Sequence, residues 1–235
     1  MSYLSHRSHL SYRNLLVSSA VSLTLAAPAR AEIAVDKDKR TITVDAKIAP
    51  RKIDAPGYDK IYPLEVVACW PWQPNVTGKA HETVVTITDK PSAIHKALVE
   101  TFGLKPGTPQ NGGDKPGEGP EVNIFLEFQN DANETKRVPI EKTMIDTKTN
   151  KGLGKLKWRF TGSATAQPDP NKPDKVYGAD TTGTLICIFP VTDLTVFQTN
   201  LKFKDQDYVN LETDPKLVPK IGTPVKLIIQ APEPK

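Results

Sequence analysis

Cysteine is scarce in this chain, with two in 235 residues, and that excludes a small scaffold held by a dense disulfide framework. Long apolar runs are missing beyond the first 31 residues, which excludes a bundle of membrane-spanning helices. Charge of one sign is lacking too: 31 basic residues face 27 acidic ones, and three of the arginines lie in those first 31 positions, leaving 28 against 27. A nucleic-acid binder needs a basic footprint, so no nucleic-acid partner is expected. Catalytic signatures are also absent, since no G-x-S-x-G, H-E-x-x-H, P-loop or G-x-G-x-x-G occurs. His81-Glu82 begins as a metalloprotease motif would, but Thr83, Val84 and Val85 follow and the second histidine is missing.

What is present begins with a leader. Arg7 and Arg13 form a positive n-region, Leu15 to Ala27 an apolar stretch, and Ala29-Arg30-Ala31 an A-x-A cleavage signal. The stretch is shorter than the roughly 20 residues a bilayer core requires. Residues 1–31 are therefore expected to be a secretory signal peptide, and the protein to be periplasmic or secreted, with no transmembrane segment once the leader is removed. The 204 residues from Glu32 onward are enough to bury a core as one domain.

Both cysteines, Cys69 and Cys187, fall in that part, 118 residues apart. In an oxidising compartment they are a disulfide candidate, contributing about 4–5 kcal/mol in the chain-entropy account. Each also sits in an apolar strand-like run, where a free thiol behaves as a small hydrophobe. Both readings stand.

Period-2 patterning dominates. Residues 40–47 alternate Ile42, Val44 and Ala46 against Thr41, Thr43 and Asp45, and 121–128 place Val122, Ile124, Leu126 and Phe128 on one face. Residues 184–189 are apolar on both faces and predict a strand covered on each side. Further strands are predicted at 63–69, 82–88, 157–165, 194–198 and 225–230. One segment has helical period: between Pro91 and Phe102, Ile94, Ala97, Leu98 and Phe102 share a face, with Pro91 suited to the first turn and Gly103 to the left-handed stop. An amphipathic helix must cover its stripe, and a sheet is the available surface. The expected fold is α+β, a mainly antiparallel β-sheet with one packed amphipathic helix, the alternative being a β-sandwich. The Gly- and Pro-rich stretch 105–120 is expected to be a long exposed loop, 167–175 another excursion, and 231–235 a Pro-rich tail.

Several segments recur in a telling order: Leu64-Glu65, Ala80-His81-Glu82-Thr83, Lys90-Pro91-Ser92 leading into Ala93–Gly103, Trp158-Arg159-Phe160-Thr161-Gly162-Ser163, and Tyr177-Gly178-Ala179-Asp180. Taken together they resemble the YdjY-like family of exported bacterial proteins over about residues 32–200. The resemblance implies a signal-bearing, mainly β domain, here residues 32–235, sometimes described as ferredoxin-like. An iron–sulfur cluster takes four Cys ligands, or two Cys and two His, and no C-x-x-C or C-x-H element gathers them here. The label can describe only a βαββαβ topology, which needs two helices.

The strongest chemical candidate is a metal set of Cys69, His81, Glu82 and Cys187. If 63–69 and 82–88 pair as an antiparallel hairpin, Cys69 meets His81 and Glu82 at its mouth, and thiolate, imidazole and carboxylate suit zinc or copper. The competing reading is a disulfide beside a hydrogen-bonded His81. His95 is an acid–base candidate with Glu100 or Glu82, against a plain boundary position on the helix. Trp70 and Trp72 flank Pro71 after a strand, where exposed indoles stack on a sugar ring or anchor a partner unless they fold back over the sheet edge. No catalytic residue and no cofactor is assigned. The expected function is a non-catalytic binding or scaffold domain of the bacterial cell envelope, with an envelope protein or a small ligand as partner. A metal-binding or redox-associated periplasmic protein using those Cys, His and Glu ligands is the alternative.

Overall fold

The structure is a computed structural model that describes residues 33–234 apart from Asn75 and Thr77. The leader expected over residues 1–31 lies outside the described residues. In chain order the strands are β1 (Ala34–Asp36), β2 (Thr41–Ile48), β3 (Val66–Cys69), β4 (Thr83–Ile87), then helix α1 (Pro91–Phe102), then β5 (Glu121–Gln129) and β6 (Thr135–Pro139). Short pieces follow: β7 (Met144–Asp146), β8 (Lys151–Gly152), β9 (Trp158–Phe160), β10 (Thr165–Ala166), β11 (Val176–Tyr177), the one-turn α2 (Ala179–Thr182), β12 (Ile186–Cys187), β13 (Phe197–Thr199), β14 (Leu211–Thr213) and β15 (Pro224–Gln230).

Eight of these strands pair in the ring β2-β15-β5-β9-β13-β12-β3-β4, and β4 pairs again with β2. The sheet therefore closes as a barrel, which removes most of the edges that an open sheet exposes. All pairings in the ring are antiparallel except β12 with β13 and β3 with β4. The β-rich, mainly antiparallel expectation is met, while the sandwich is not formed: one sheet curls onto itself instead of stacking on a second. Nor does a βαββαβ topology appear. β1 and β6 overhang the ring from β2 and β5, and β14, β7 and β8 make a separate three-stranded sheet.

The core follows from the alternation. Ile42, Val44, Ala46 and Ile48 of β2, and Val122, Ile124, Leu126 and Phe128 of β5, point into the ring and are buried in one apolar cluster. Residues 184–189 are buried on both faces, as their continuous apolar run demands. Predicted strand 157–165 breaks after Phe160, where Gly162 takes φ +67° and the chain leaves the ladder.

Helix α1 has the predicted bounds. Pro91 occupies the first turn, and Gly103, at φ +66°, ends it in the left-handed conformation while Leu104 N–H reaches back to Leu98 O at 3.2 Å. Its buried stripe of Ile94, Leu98 and Phe102 joins the barrel core. The helix lies across one mouth of the ring, against the start of β2, the end of β9 and the one-turn α2. Arg40, just before β2, donates to Phe102 O at 3.3 Å, and the His95 ring meets Phe160 at the end of β9.

The segment 105–120 keeps an exposed outer side but is tied down along its length. Gly107 N–H donates to Phe160 O at 3.0 Å, Thr108 and Glu118 exchange backbone hydrogen bonds, and the buried Gln198 amide grips Gln110 at both its N–H and its C=O. Its glycines serve close approach as well as turning: a Cβ on Gly119 would sit 2.1 Å from Phe160 O.

Candidate functional site

The four residues of the candidate metal set do not converge. β3 and β4 are parallel, not a hairpin, so Thr83 lies opposite Val66 and Cys69 lies opposite Thr86. Among the described residues, no group of three or more His, Cys, Asp or Glu is placed to hold a metal ion. Cys69 and Cys187 are free thiols, both buried in a small apolar cluster with Val66 and Ala80. Of the two readings left open for them, the candidate bridge is not formed. Cys187 is opposite Val66, three residues along from Cys69, which puts the two Cα positions roughly 10 Å apart along the strand, beyond disulfide reach. Burial pushes both thiols up to about 12, so neither supplies the thiolate that a nucleophile or a metal ligand needs.

His81 and Glu82 do meet, with Nε2 3.2 Å from Oε1, and they belong to an ionic cluster at the mouth opposite α1. Arg51, just past the end of β2, is buried; its Nε donates to Glu212 Oε1 at 2.7 Å and its two Nη groups donate to the carbonyls of His81 and Tyr62. Lys79 bridges Glu65 and Glu82, the latter at 2.9 Å. The His81 ring is held edge-on between Tyr58 and Tyr62, 4.5 and 5.2 Å between centroids, and its Nδ1 is buried without a partner. Burial, then the charges of Lys79 and Arg51, hold His81 below the ordinary imidazole range. Burial works against the charge on Lys79, but its bonds to Glu65 and Glu82 outweigh it and raise its pKa.

At the α1 mouth, three of the segments that carry the family resemblance come together, those around Ser92, Ser163 and Asp180, while Glu65 and His81-Glu82 lie at the opposite mouth. Asp180 of α2 accepts from both the N–H and the hydroxyl of Ser92 in the first turn of α1. Ser163 Oγ accepts from Ala179 N–H at 2.9 Å and donates to Ala164 O at 2.9 Å. Tyr177 OH lies 2.7 Å from His95 Nδ1, so neither Glu100 nor Glu82 is the partner of His95. Glu100 instead faces Lys96. Burial lowers the pKa of His95 and raises that of Tyr177, leaving both neutral near pH 7. Trp70 folds back at this mouth, its indole N–H donating to Asp89 O at 2.8 Å, whereas Trp72 stays 37% exposed.

A concave feature lies on the barrel wall. A cavity of about 610 Å³ lies over the outer face where β4, β2, β15 and β5 run side by side. The register sets two rows of side chains across them. One row runs Thr88, Asp45, Lys226, Glu127; the next runs Thr86, Lys47, Pro224, Gln129; and Pro71, which follows β3, lines the same cavity. Lys226 is paired with Asp45, and Glu127 with Arg137 of β6 at 2.8 Å. Sequence reasoning placed Asp45 on a wet face but gave no sign of this site, because the strands that build it are distant in the chain.

A closed eight-stranded barrel, with a helix across one mouth and a groove of mixed polar and apolar lining on its wall, is the class of protein these features define. The YdjY domain family model matches residues 33–230, and the chain belongs to that family. Neither a curated protein nor a solved structure matches it.

Proposed function

We propose that this chain is an exported, non-catalytic binding or scaffold domain of the bacterial cell envelope, and that the wall groove is its binding surface. The groove carries the reading. Its volume is that of a small-molecule site, and its polar groups project from paired strands that hold them in place. Non-catalytic action fits the state of the reactive groups: both thiols are held protonated by burial, His95 faces a tyrosine, and Ser163 is engaged by backbone groups. Export rests on the n-region, apolar stretch and A-x-A signal of residues 1–31, together with the family. Among the described residues no helix is long and apolar enough to cross a membrane.

Expression of the full chain with a C-terminal tag in a Gram-negative host, followed by cell fractionation and N-terminal sequencing, tests the export half. The expected product starts at Glu32 and is in the periplasmic fraction. A product retaining Met1 in the cytosol would contradict it.

A further inference from the structure

We infer that the β7–β8 hairpin and the turns beside it form a basic face that docks on an anionic phospholipid bilayer, a role separate from the wall groove and independent of it. The near-balance of charge over the whole chain conceals a local excess. Residues 136–159 hold eight basic residues against two acidic ones, leaving 20 against 25 in the rest of residues 32–235. Both of those acids are turned inward. Glu141 is buried and accepts the Trp158 indole N–H at 3.3 Å; Asp146 is buried too, its carboxylate taken by the N–H groups of Lys148 and Asn210 and by the Thr149 hydroxyl.

Four of the eight cations are answered by neighbouring acids: Lys136 by Glu134, Arg137 by Glu127, and Lys157 and Arg159 by Glu121. The other four, Lys142, Lys148, Lys151 and Lys155, are exposed, and among the described residues no carboxylate pairs with them. The fold gathers them. The 3-10 turn Ile140–Thr143 packs on both β7 and β8, Lys151 opens β8 opposite Asp146, and Lys155 follows three residues after β8 ends. Residues 147–152 are exposed without a break, so the tip stands out from the body instead of lining a cleft.

A second observation comes from the turn beside the tip. Lys148 Nζ donates to Asp207 O at 3.1 Å and Thr147 N–H to Asn210 O at 2.9 Å, which seats the hairpin against the chain on either side of Tyr208. Among the described residues Tyr208 is the most exposed large hydrophobic side chain, at 73%. A tyrosine ring has an apolar body and a polar tip, the combination that settles at the headgroup level of a membrane.

Composition selects a lipid surface over other anionic partners. Protein interfaces are depleted of lysine and centre on buried apolar anchors, whereas residues 147–152 are threonine, lysine, asparagine and glycine. A polyanionic chain whose phosphates or carboxylates are fixed one by one calls for arginine forks, and all four free cations here are lysines. Point charges on a protruding tip match a plane of headgroups, and four of them reach the number at which basic clusters hold to anionic lipid.

Co-sedimentation with vesicles tests this. The chain from Glu32 is used, so that the apolar stretch of the leader takes no part; the core lies wholly between Ile42 and Ala231. Vesicles of phosphatidylcholine alone are compared with vesicles of phosphatidylcholine and phosphatidylglycerol in equal parts, in about 20 mM and about 500 mM salt. The expected result is binding to the anionic vesicles only, and its loss at high salt. Lys148→Ala and Lys151→Ala should each weaken binding about fivefold, the share of one lysine near an anionic surface, and Tyr208→Ala should weaken it as well. Asp207 is the exposed acid beside the tip, and Asp207→Asn should strengthen binding. Lys96→Ala removes the same unit charge from α1 and should leave it unchanged. No sedimentation with anionic vesicles at low salt, equal binding to neutral ones, or equal losses at Lys96 and Lys151 would overturn the docking face. Soluble polyphosphate that competes fully at a matched phosphate concentration would overturn the lipid assignment in favour of an anionic chain. Each outcome bears on this face alone and leaves the wall groove standing.

Discussion

At the mouth beneath α1, Arg40 apart, the ties are between neutral groups or short polar side chains: Tyr177 to His95, Ser163 to the backbone of α2, and Ser92 to Asp180. At the opposite mouth they are ionic and partly buried, with Arg51 clamped between Glu212 and two carbonyls and Lys79 between two glutamates. The same barrel is therefore closed in two ways. Neutral ties cost little to bury and fail one at a time, whereas a buried charge that loses its partner is left uncompensated.

The difference can be broken most sharply at Arg51. Arg51→Ala strands the Glu212 carboxylate and two carbonyls, and should cost about 3 kcal/mol in chemical denaturation, the low end for a broken buried pair because Glu212 is partly exposed. A loss below about 1 kcal/mol would mean that water replaces the guanidinium at little cost. At the other mouth the corresponding lesion is steric. A Cβ on Gly178 would meet Ala164 O at 2.4 Å and Leu194 Cδ2 at 2.5 Å, so Gly178→Ala should cost about 2 kcal/mol by overpacking. Ser92→Ala removes one hydroxyl bond to Asp180 but spares the N–H bond, and a loss of about 1 kcal/mol in the same assay is expected.

Acid sharpens the comparison further. His81 is held below its ordinary pKa in the fold, so the unfolded chain takes up a proton first as pH falls. Stability from this site is complete above the ordinary imidazole pKa of about 6.5 and declines as pH drops through it, levelling only below the folded value. His95, lowered by burial, acts with the same sign. Because Nδ1 of His81 has no acceptor and faces the charges of Lys79 and Arg51, His81→Gln should flatten the slope more than His95→Gln does. Denaturation midpoints between pH 7.5 and 5.5 measure this, and equal flattening by the two variants would erase the distinction between the mouths.

Local pattern made a large part of this fold readable. The inward faces of β2 and β5 follow from alternation, and α1 from its apolar stripe with proline and glycine at its ends. Closure was not readable, because it depends on which distant strands adjoin: β15 lies between β2 and β5, and no local signal couples residues 224–230 to 41–48. The misplacement of the metal set has one cause. Two apolar runs separated by residues 70–80 look like a hairpin, yet the segment crosses back and delivers β4 parallel to β3, so Cys69 meets Thr86. The stretch 105–120 is the exposed loop its composition predicts, and what composition did not show is that its glycines let it pass close to Phe160 and Gln198. α2, at four residues, is too short to show a period.

The groove exists only if β4 joins β2, because that seam brings Thr86 and Thr88 beside Lys47 and Asp45. Measurement of nuclear Overhauser contacts across the seam is the most direct test. The account predicts backbone contacts between Ala46 and Ile87 and between Ile48 and Val85, with slowly exchanging amides on both strands. Fast amide exchange along residues 83–87 with no cross-seam contact would show an open sheet, and the barrel and its wall groove would both fall.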